Sequence, residues 1–250
     1  MNLEHLSPSA IAMYLRCPKQ WYFRYIEGLS VPPAAAAFTG SRAHDASAAA
    51  LTPLLTGGAL LPADTTLDAY DTFFEKGSQD EDVEWGDGTA GEWKDKGVKA
   101  LKSHHPAILA NTAPIALEAK LERPIPDTPY TLLGFVDVVE ADALRDHKFG
   151  ARLKSQTDAD QSMQLSAYAW LNEKAGEVSL DSSSFAGKSS RIISARTPAQ
   201  ITFYLENTLI PVALSIADAV EKGRFPCHTE GWHCGAQWCG FFDRCVGKGA

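Results

Sequence analysis

Gly134-Phe135-Val136-Asp137-Val138-Val139-Glu140 and, after a short break, Leu144-Arg145-Asp146-His147-Lys148-Phe149-Gly150 decide the fold. Two apolar runs so close together predict a pair of strands joined as a hairpin. Each strand carries an acid, and the second adds a lysine two residues beyond its acid. Residues i and i+2 of a strand share a face, so Asp146 and Lys148 project together while His147 points away. Asp137, on the neighbouring strand, can face the same spot. Two carboxylates suit a hard divalent cation, and an ammonium beside them can orient an attacking water or offset developing charge. That combination is the equipment of metal-assisted phosphodiester hydrolysis.

Outward from this hairpin the pattern alternates strand and helix. Residues 114–125 predict a preceding strand, and 130–140 and 144–149 the hairpin itself. A helix is predicted over 159–174, with acids at its start as the helix dipole prefers. Strands are predicted over 177–185 and 191–196. Thr197 and Pro198 then open a long helix to about residue 222, kinked near Pro211. At the other end, Ser7 as N-cap and Pro8 at the first helical position start a helix over 7–28. Pro18 breaks it, leaving Cys17 at the start of a second helix. A Pro/Ala linker at 31–37 precedes a helix from Gly40 to about residue 50 that carries His44. Residues 52–112 mix a Gly/Pro loop with helices over 66–76 and 90–103, with the acidic loop Asp80-Glu81-Asp82 between them. No internal repeat is visible.

The chain has 250 residues, 45% hydrophobic, enough for a substantial core. No run of about 18 apolar residues suggests a membrane span. The first residues lack a basic start followed by an apolar run, so a cytoplasmic protein with no membrane partner is expected. A formal charge of −8 argues against coating nucleic acid by bulk electrostatics, but not against a nuclease, whose metal site needs acids.

Further candidates follow from spacing. Gln164 and Tyr168 lie four apart, hence on one helical face, where they could hydrogen-bond a phosphate or position the lysine, or pack against the sheet. His44 is a candidate third metal ligand. Cys234, Cys239 and Cys245 fall close together, Cys227 just before them, and Cys17 near the other end. In a reducing compartment such grouping suggests metal more than disulfides, and four thiolates suit either zinc or an iron–sulfur cluster. A thiolate at Cys17 would face amide donors at a helix start.

Gly40-x3-His44, Gly134-Phe-Val-Asp137, Asp146-His-Lys148 and Gln164-x3-Tyr168, in this order, resemble the PD-(D/E)XK nuclease domain of the RecB type. Leu6-Ser7-Pro8-Ser9 with Cys17-Pro18-x2-Trp21-x3-Tyr25 resembles that family's opening helix. The resemblance spans nearly the whole chain, apart from about 50–112. It implies an α/β, restriction-endonuclease-like fold, a central mixed β-sheet flanked by helices. It implies His44, Asp137 and Asp146 as ligands of Mg²⁺ or Mn²⁺, helped by the His147 carbonyl. Lys148 would be the catalytic lysine, Gln164 and Tyr168 accessory residues, and Glu118 (or nearby Glu122) a further acid. Where the family usually has threonine after its lysine, this chain has Phe149.

The tail around Trp232-His233-Cys234, Trp238-Cys239-Gly240-Phe241-Phe242 and Cys245 is similar to iron–sulfur members of the family. The resemblance therefore implies a structural [4Fe–4S] cluster on Cys17, Cys234, Cys239 and Cys245, in a lobe joining the two chain ends. Zinc is the alternative occupant. Cys227 is read as a bystander. One domain is expected over 1–250: N-terminal helices at 1–29, a helical insertion at 45–112, a catalytic core at 113–196, a long helix at 197–223 and a cysteine-rich lobe at 224–250.

The function implied is a metal-dependent deoxyribonuclease, an exonuclease on single-stranded DNA ends, with 5′-to-3′ polarity preferred. Its setting would be DNA repair or recombination, phage DNA processing or CRISPR adaptation. The rivals are a non-catalytic nucleic-acid-binding module with a structural iron–sulfur or zinc site, and a structure-specific endonuclease. No Walker-type motif is present, so any unwinding would need a separate helicase, and a recombination or CRISPR-adaptation protein is the other partner considered.

Overall fold

The computed structural model describes residues 3–173 and 176–247. The chain divides into two units, one of Met1–Val31, Leu121–Gly134 and Pro198–Ala250, the other of Pro32–Lys120 and Phe135–Thr197.

The first unit starts with strand β1 (His5–Leu6) and helices α1 (Pro8–Arg16) and α2 (Pro18–Tyr25). Ser7 caps α1 by accepting from the Ala10 amide at 3.1 Å, and Cys17 is extended between the two helices, as Pro18 demands of the residue before it. Trp21, fully buried, packs edge-on to Tyr14 at 5.7 Å and stacks on Phe225 at 6.0 Å. Helices α8 (Pro198–Tyr204) and α9 (Ile210–Lys222) are separated by a π-helical turn over Leu205–Leu209. Pro211 has no amide proton to give, and the widened turn before it absorbs that loss, so the kink predicted there is a π-turn. Pro198–Lys222 is long and apolar enough to cross a membrane by composition alone. Here it buries one stripe, including Leu209, Ala213 and Ile216.

The second unit holds the predicted hairpin. Strand β3 (Thr131–Val139) enters it at Phe135 and pairs antiparallel with β4 (Ala143–Gly150), Val138 opposite Arg145. Strand β4 runs parallel to β5 (Glu177–Ser184), and β5 antiparallel to β6 (Lys188–Ile193). Strand β2 (Ala116–Pro124) pairs with β3, and β1 pairs parallel with the first residues of β3. The sheet is therefore mixed. A parallel β4–β5 pair requires a crossover, supplied by α6 (Gln156–Asp160) and α7 (Met163–Leu171). The single helix predicted over 159–174 is thus two: Ser162 breaks it and recaps α7 by accepting from the Leu165 amide at 3.2 Å. Lys174, the predicted end, lies outside the described residues.

Helices α3 (Ala35–Leu51), α4 (Ala63–Asp80) and α5 (Ala90–Ala107) form the rest of this unit. Helix α3 starts five residues before Gly40 because an alanine run favours helix, and the Ala35 amide is taken by the Glu84 carbonyl at 2.9 Å. Phe38, Tyr70, Phe74 and Leu101 pack together between the three helices. The helices expected at 66–76 and 90–103 are both present and longer than predicted. Strand β5 is buried almost throughout although four of its eight residues are serine. Its hydroxyls are satisfied locally: Ser183 contacts Ser189 at 2.6 Å and His104 at 2.8 Å.

Candidate active site

His44, Glu118, Asp137, Asp146, His147, Lys148, Gln164 and Tyr168 all fall in the second unit. Asp137 on β3 accepts from the backbone amide of His147 on β4 at 2.5 Å, and His44 Nδ1 lies 3.5 Å from the same carboxylate oxygen. Gly40 lies one turn before His44, and a Cβ there would sit 3.4 Å from the Phe149 carbonyl oxygen, an ordinary van der Waals contact. Phe149, where the family usually has threonine, packs its ring edge-on to His44 at 5.3 Å. Lys148 Nζ lies 2.7 Å from Asp146 Oδ2, so the two residues do share a face as alternation requires.

The potential metal ligands converge in a way the sequence reading did not specify. One ligand atom each from His44, Asp137 and His147 lie within 4.8 Å of one another. His147 was implied to contribute only its carbonyl, yet its ring belongs to this group. Asp146 is outside that threesome. It is buried beside Lys148 and close enough to raise the pKa of Asp137. Glu118 lines the same cleft as His44, Asp45 and Lys148, with a left-handed φ of 46° on β2. Gln164 donates 2.7 Å to the Tyr168 hydroxyl, and that hydroxyl donates 2.6 Å to the Phe135 carbonyl. These two residues therefore tie α7 to β3. His104, absent from the sequence reading, is fully buried with its ring edge-on to His147 at 4.7 Å. A lone histidine on an amphipathic helix gave no signal for it.

The electrostatics suit a cation. Desolvation, then the neighbouring His147 and Lys148, lowers the His44 pKa to about 3. Burial lowers that of His147 to about 4, so both rings are neutral at pH 7 and keep a lone pair for a metal. Burial first, then the Asp146 carboxylate, pushes Asp137 well above the carboxylate range. Burial also raises Asp146, against the pull of Lys148. Two buried carboxylates that oppose each other's ionisation are relieved by a divalent cation between them. The buried His147 Nε2 has no hydrogen-bond partner. The residues fit a divalent metal.

The cysteine reading is corrected. The [4Fe–4S] cluster implied on Cys17, Cys234, Cys239 and Cys245, and the zinc alternative, find no ligand group. The metal-ligand set among the described residues is His44, Asp137 and His147, and no three cysteine sulfurs meet within 4.8 Å. All five cysteines are free thiols bordering one small cavity walled by Phe23, Phe241 and Phe242. Desolvation raises the thiol pKa of Cys239, and desolvation with Cys227 raises that of Cys245 to about 12. Cys227, read as a bystander, lies 3.1 Å from Cys245, sulfur to sulfur. The expected iron–sulfur lobe is likewise not found among the described residues. The tail is held to α2 by Phe241 against Phe23 at 5.6 Å and by Arg244 on Glu27 at 2.6 Å.

A mixed sheet flanked by helices, with acids and a lysine on adjacent central strands, defines a restriction-endonuclease-like α/β protein. A family model described as the PD-(D/E)XK nuclease superfamily matches residues 5–246, and the chain belongs to that superfamily. A crystal structure from Eubacterium rectale named "Putative exonuclease" superposes with a TM-score of 0.57 at 11% identity, covering 92% of this chain and 87% of that one. A crystal structure of SSO0001 superposes with a TM-score of 0.44 at 13% identity, covering 99% and 88%. No curated protein matches the sequence.

Proposed function

We propose that this chain is one nuclease domain that hydrolyses phosphodiester bonds in DNA with a divalent metal, acting as an exonuclease on single-stranded ends, 5′-to-3′. The observation that carries the reading is the convergence of His44, Asp137 and His147 beside the Asp146–Lys148 pair. His44, Asp137 and His147 would hold Mg²⁺ or Mn²⁺, with Asp146 beside them. When bound, the metal supplies Lewis acidity to the scissile phosphate and lowers the pKa of water.

The chain's own residues do the rest. Lys148, steered by Asp146, orients the attacking water or offsets charge on the phosphate. Gln164 and Tyr168 set the position of the strand that carries Asp137. Glu118, at the mouth of the cleft, has its pKa raised by desolvation and by Asp45 and Asp146, and can accept a proton from water there. The Eubacterium rectale protein's name supports the exonuclease choice over an endonuclease.

The experiment is digestion of linear, end-blocked and circular single-stranded DNA with Mn²⁺ or Mg²⁺, labelled at either end. Release of mononucleotides from free 5′ ends, abolished by EDTA and by Asp146→Ala or Lys148→Ala, is expected. Binding of DNA without cleavage under all metal conditions would leave a non-catalytic nucleic-acid-binding module as the better reading.

A further inference from the structure

His147, Asp181 and Arg191 form a row across three strands. In the register of the sheet His147 on β4 stands opposite Asp181 on β5, and Asp181 opposite Arg191 on β6. Asp181 is fully buried, an expensive place for a carboxylate unless it is paired. Arg191 engages it in the two-pronged manner of a guanidinium, Nε to Oδ1 at 2.9 Å and Nη2 to Oδ2 at 2.8 Å. The Ser179 hydroxyl adds a third bond to Oδ1 at 3.0 Å. Arg191 is itself anchored by the Asn111 carbonyl at 3.1 Å and the Thr112 hydroxyl at 2.9 Å.

One acceptor position on Oδ2 is left over, since a carboxylate accepts about four hydrogen bonds. It faces the His147 ring, whose Nε2 lies 3.9 Å away and is buried with no hydrogen-bond partner. Two complementary buried groups stand roughly 1 Å beyond hydrogen-bonding distance. The His104 ring, edge-on at 4.7 Å and fixed through Nδ1 to Ser183 at 2.8 Å, walls the imidazole on another side. With its proton on Nε2 toward Asp181, His147 keeps the Nδ1 lone pair, which is the ligand form of the ring. The same ring belongs to the group with His44 and Asp137.

We propose that Asp181 and Arg191 are a positioning pair that orients His147 as a side-chain ligand of the metal centre. This rests on the reading of the site as metal-binding, and it adds an arginine–carboxylate–imidazole array to it. A carboxylate behind a ligating histidine raises the ligand's basicity and fixes its tautomer, and removing such a partner costs about 10–100-fold in metal affinity. The array also predicts a nitrogen-rich centre, which favours later first-row divalent ions over Mg²⁺.

The test uses Co²⁺ alone with the full chain, read by calorimetry and by its visible ligand-field bands. Expected is uptake by the wild type, and in Asp181→Asn an affinity weaker by about 10–100-fold together with altered bands, while near-ultraviolet circular dichroism is unchanged. Equal affinity and equal bands overturn the proposal. So does weaker affinity with unchanged bands, which is what mere loosening of the sheet would give. If Asp181→Asn does not fold, Asp181→Leu with Arg191→Met removes both charges together and answers to the same criteria. A wild type that takes up no Co²⁺ overturns the metal-centre reading, and this proposal with it. Uptake by wild type and variant alike overturns only the array.

Discussion

The Tyr168 hydroxyl donates to the backbone carbonyl of Phe135 at 2.6 Å, two residues before Asp137, while accepting from Gln164 at 2.7 Å. Helix α7 is thereby fastened to the strand that carries the first acid. Burial raises the Tyr168 pKa, so the hydroxyl keeps the proton it donates. The Gln-x3-Tyr pair acts on the sheet, and through the sheet on the cleft.

Tyr168→Phe removes that donor and leaves a part-buried carbonyl without it. A loss of about 1–3 kcal/mol is expected in urea unfolding. Cleavage should fall with it, mainly through weaker metal binding as Asp137 shifts. Gln164→Leu, which leaves the tyrosine–carbonyl bond intact, should cost less on both counts. Equal effects from the two variants would place the function of the pair in the glutamine instead.

Lys148 has its ammonium 2.7 Å from Asp146, at the edge of the cleft that Glu118 and His44 also line. Lys148→Met keeps the aliphatic stem and removes the charge. The expected outcome is a loss of at least about 100-fold in single-turnover cleavage, the range for losing one electrostatic contact to a transition state. Mn²⁺ binding by calorimetry should change by less than about tenfold, since the ligand group does not include this side chain. Loss of metal binding on the same scale as cleavage would make Lys148 part of the metal site rather than of the chemistry.

Much of this site was legible because alternation along a strand is a rigid rule. Asp137, Asp146 and Lys148 could be placed on adjacent strands, and two of them on one face, before any coordinates. The ring of His147 was not legible, because β4 is buried on both faces and alternation says only that the ring points away from Lys148. What it points toward is set by His104 and Asp181, from segments 43 and 34 residues distant in number and linked to β4 only by sheet register and helix packing. The split of α6 from α7 was hidden for a local reason: Ser162 serves equally as an interior residue or as a new cap. The cysteines misled because spacing reports proximity along the chain, whereas ligation requires sulfur atoms to converge.

Asp137 gives a pH prediction for the metal-free protein. Its folded pKa lies well above the ordinary value because of burial and Asp146. The stability from its neutral form is therefore present at low pH and is lost as pH rises from about 4 through the folded value. Asp137→Asn is neutral throughout and can still accept from the His147 amide. In EDTA at pH 8 the variant should be the more stable by at least about 1 kcal/mol, with the difference closing toward pH 4. The buried imidazoles, whose lowered pKa values make stability fall below about pH 6.5, are common to both proteins. Mn²⁺ should reverse the order at pH 8 by stabilising only the wild type. A constant difference at all pH values would mean that the carboxylate is not the titrating group.

Gly97 tests the helical part of the same unit without touching the cleft. A Cβ at this position on α5 would lie 1.9 Å from the Tyr70 hydroxyl oxygen and 2.4 Å from its ring, so α4 and α5 approach only because there is no side chain here. Tyr70 is fully buried, and its hydroxyl donates to the Lys94 carbonyl at 3.4 Å, a long bond that offers little to hold the ring in place. On an exposed helix, glycine to alanine would stabilise by up to about 1 kcal/mol. Here overpacking reverses the sign, and Gly97→Ala should cost about 1–3 kcal/mol in urea unfolding. Tyr70→Leu alone loses buried ring contacts, but in combination with Gly97→Ala the clash disappears. The double variant should therefore be more stable than the sum of the two single losses predicts, by about 1 kcal/mol or more. Strict additivity would show that the helices separate freely and that the glycine sets no distance between them.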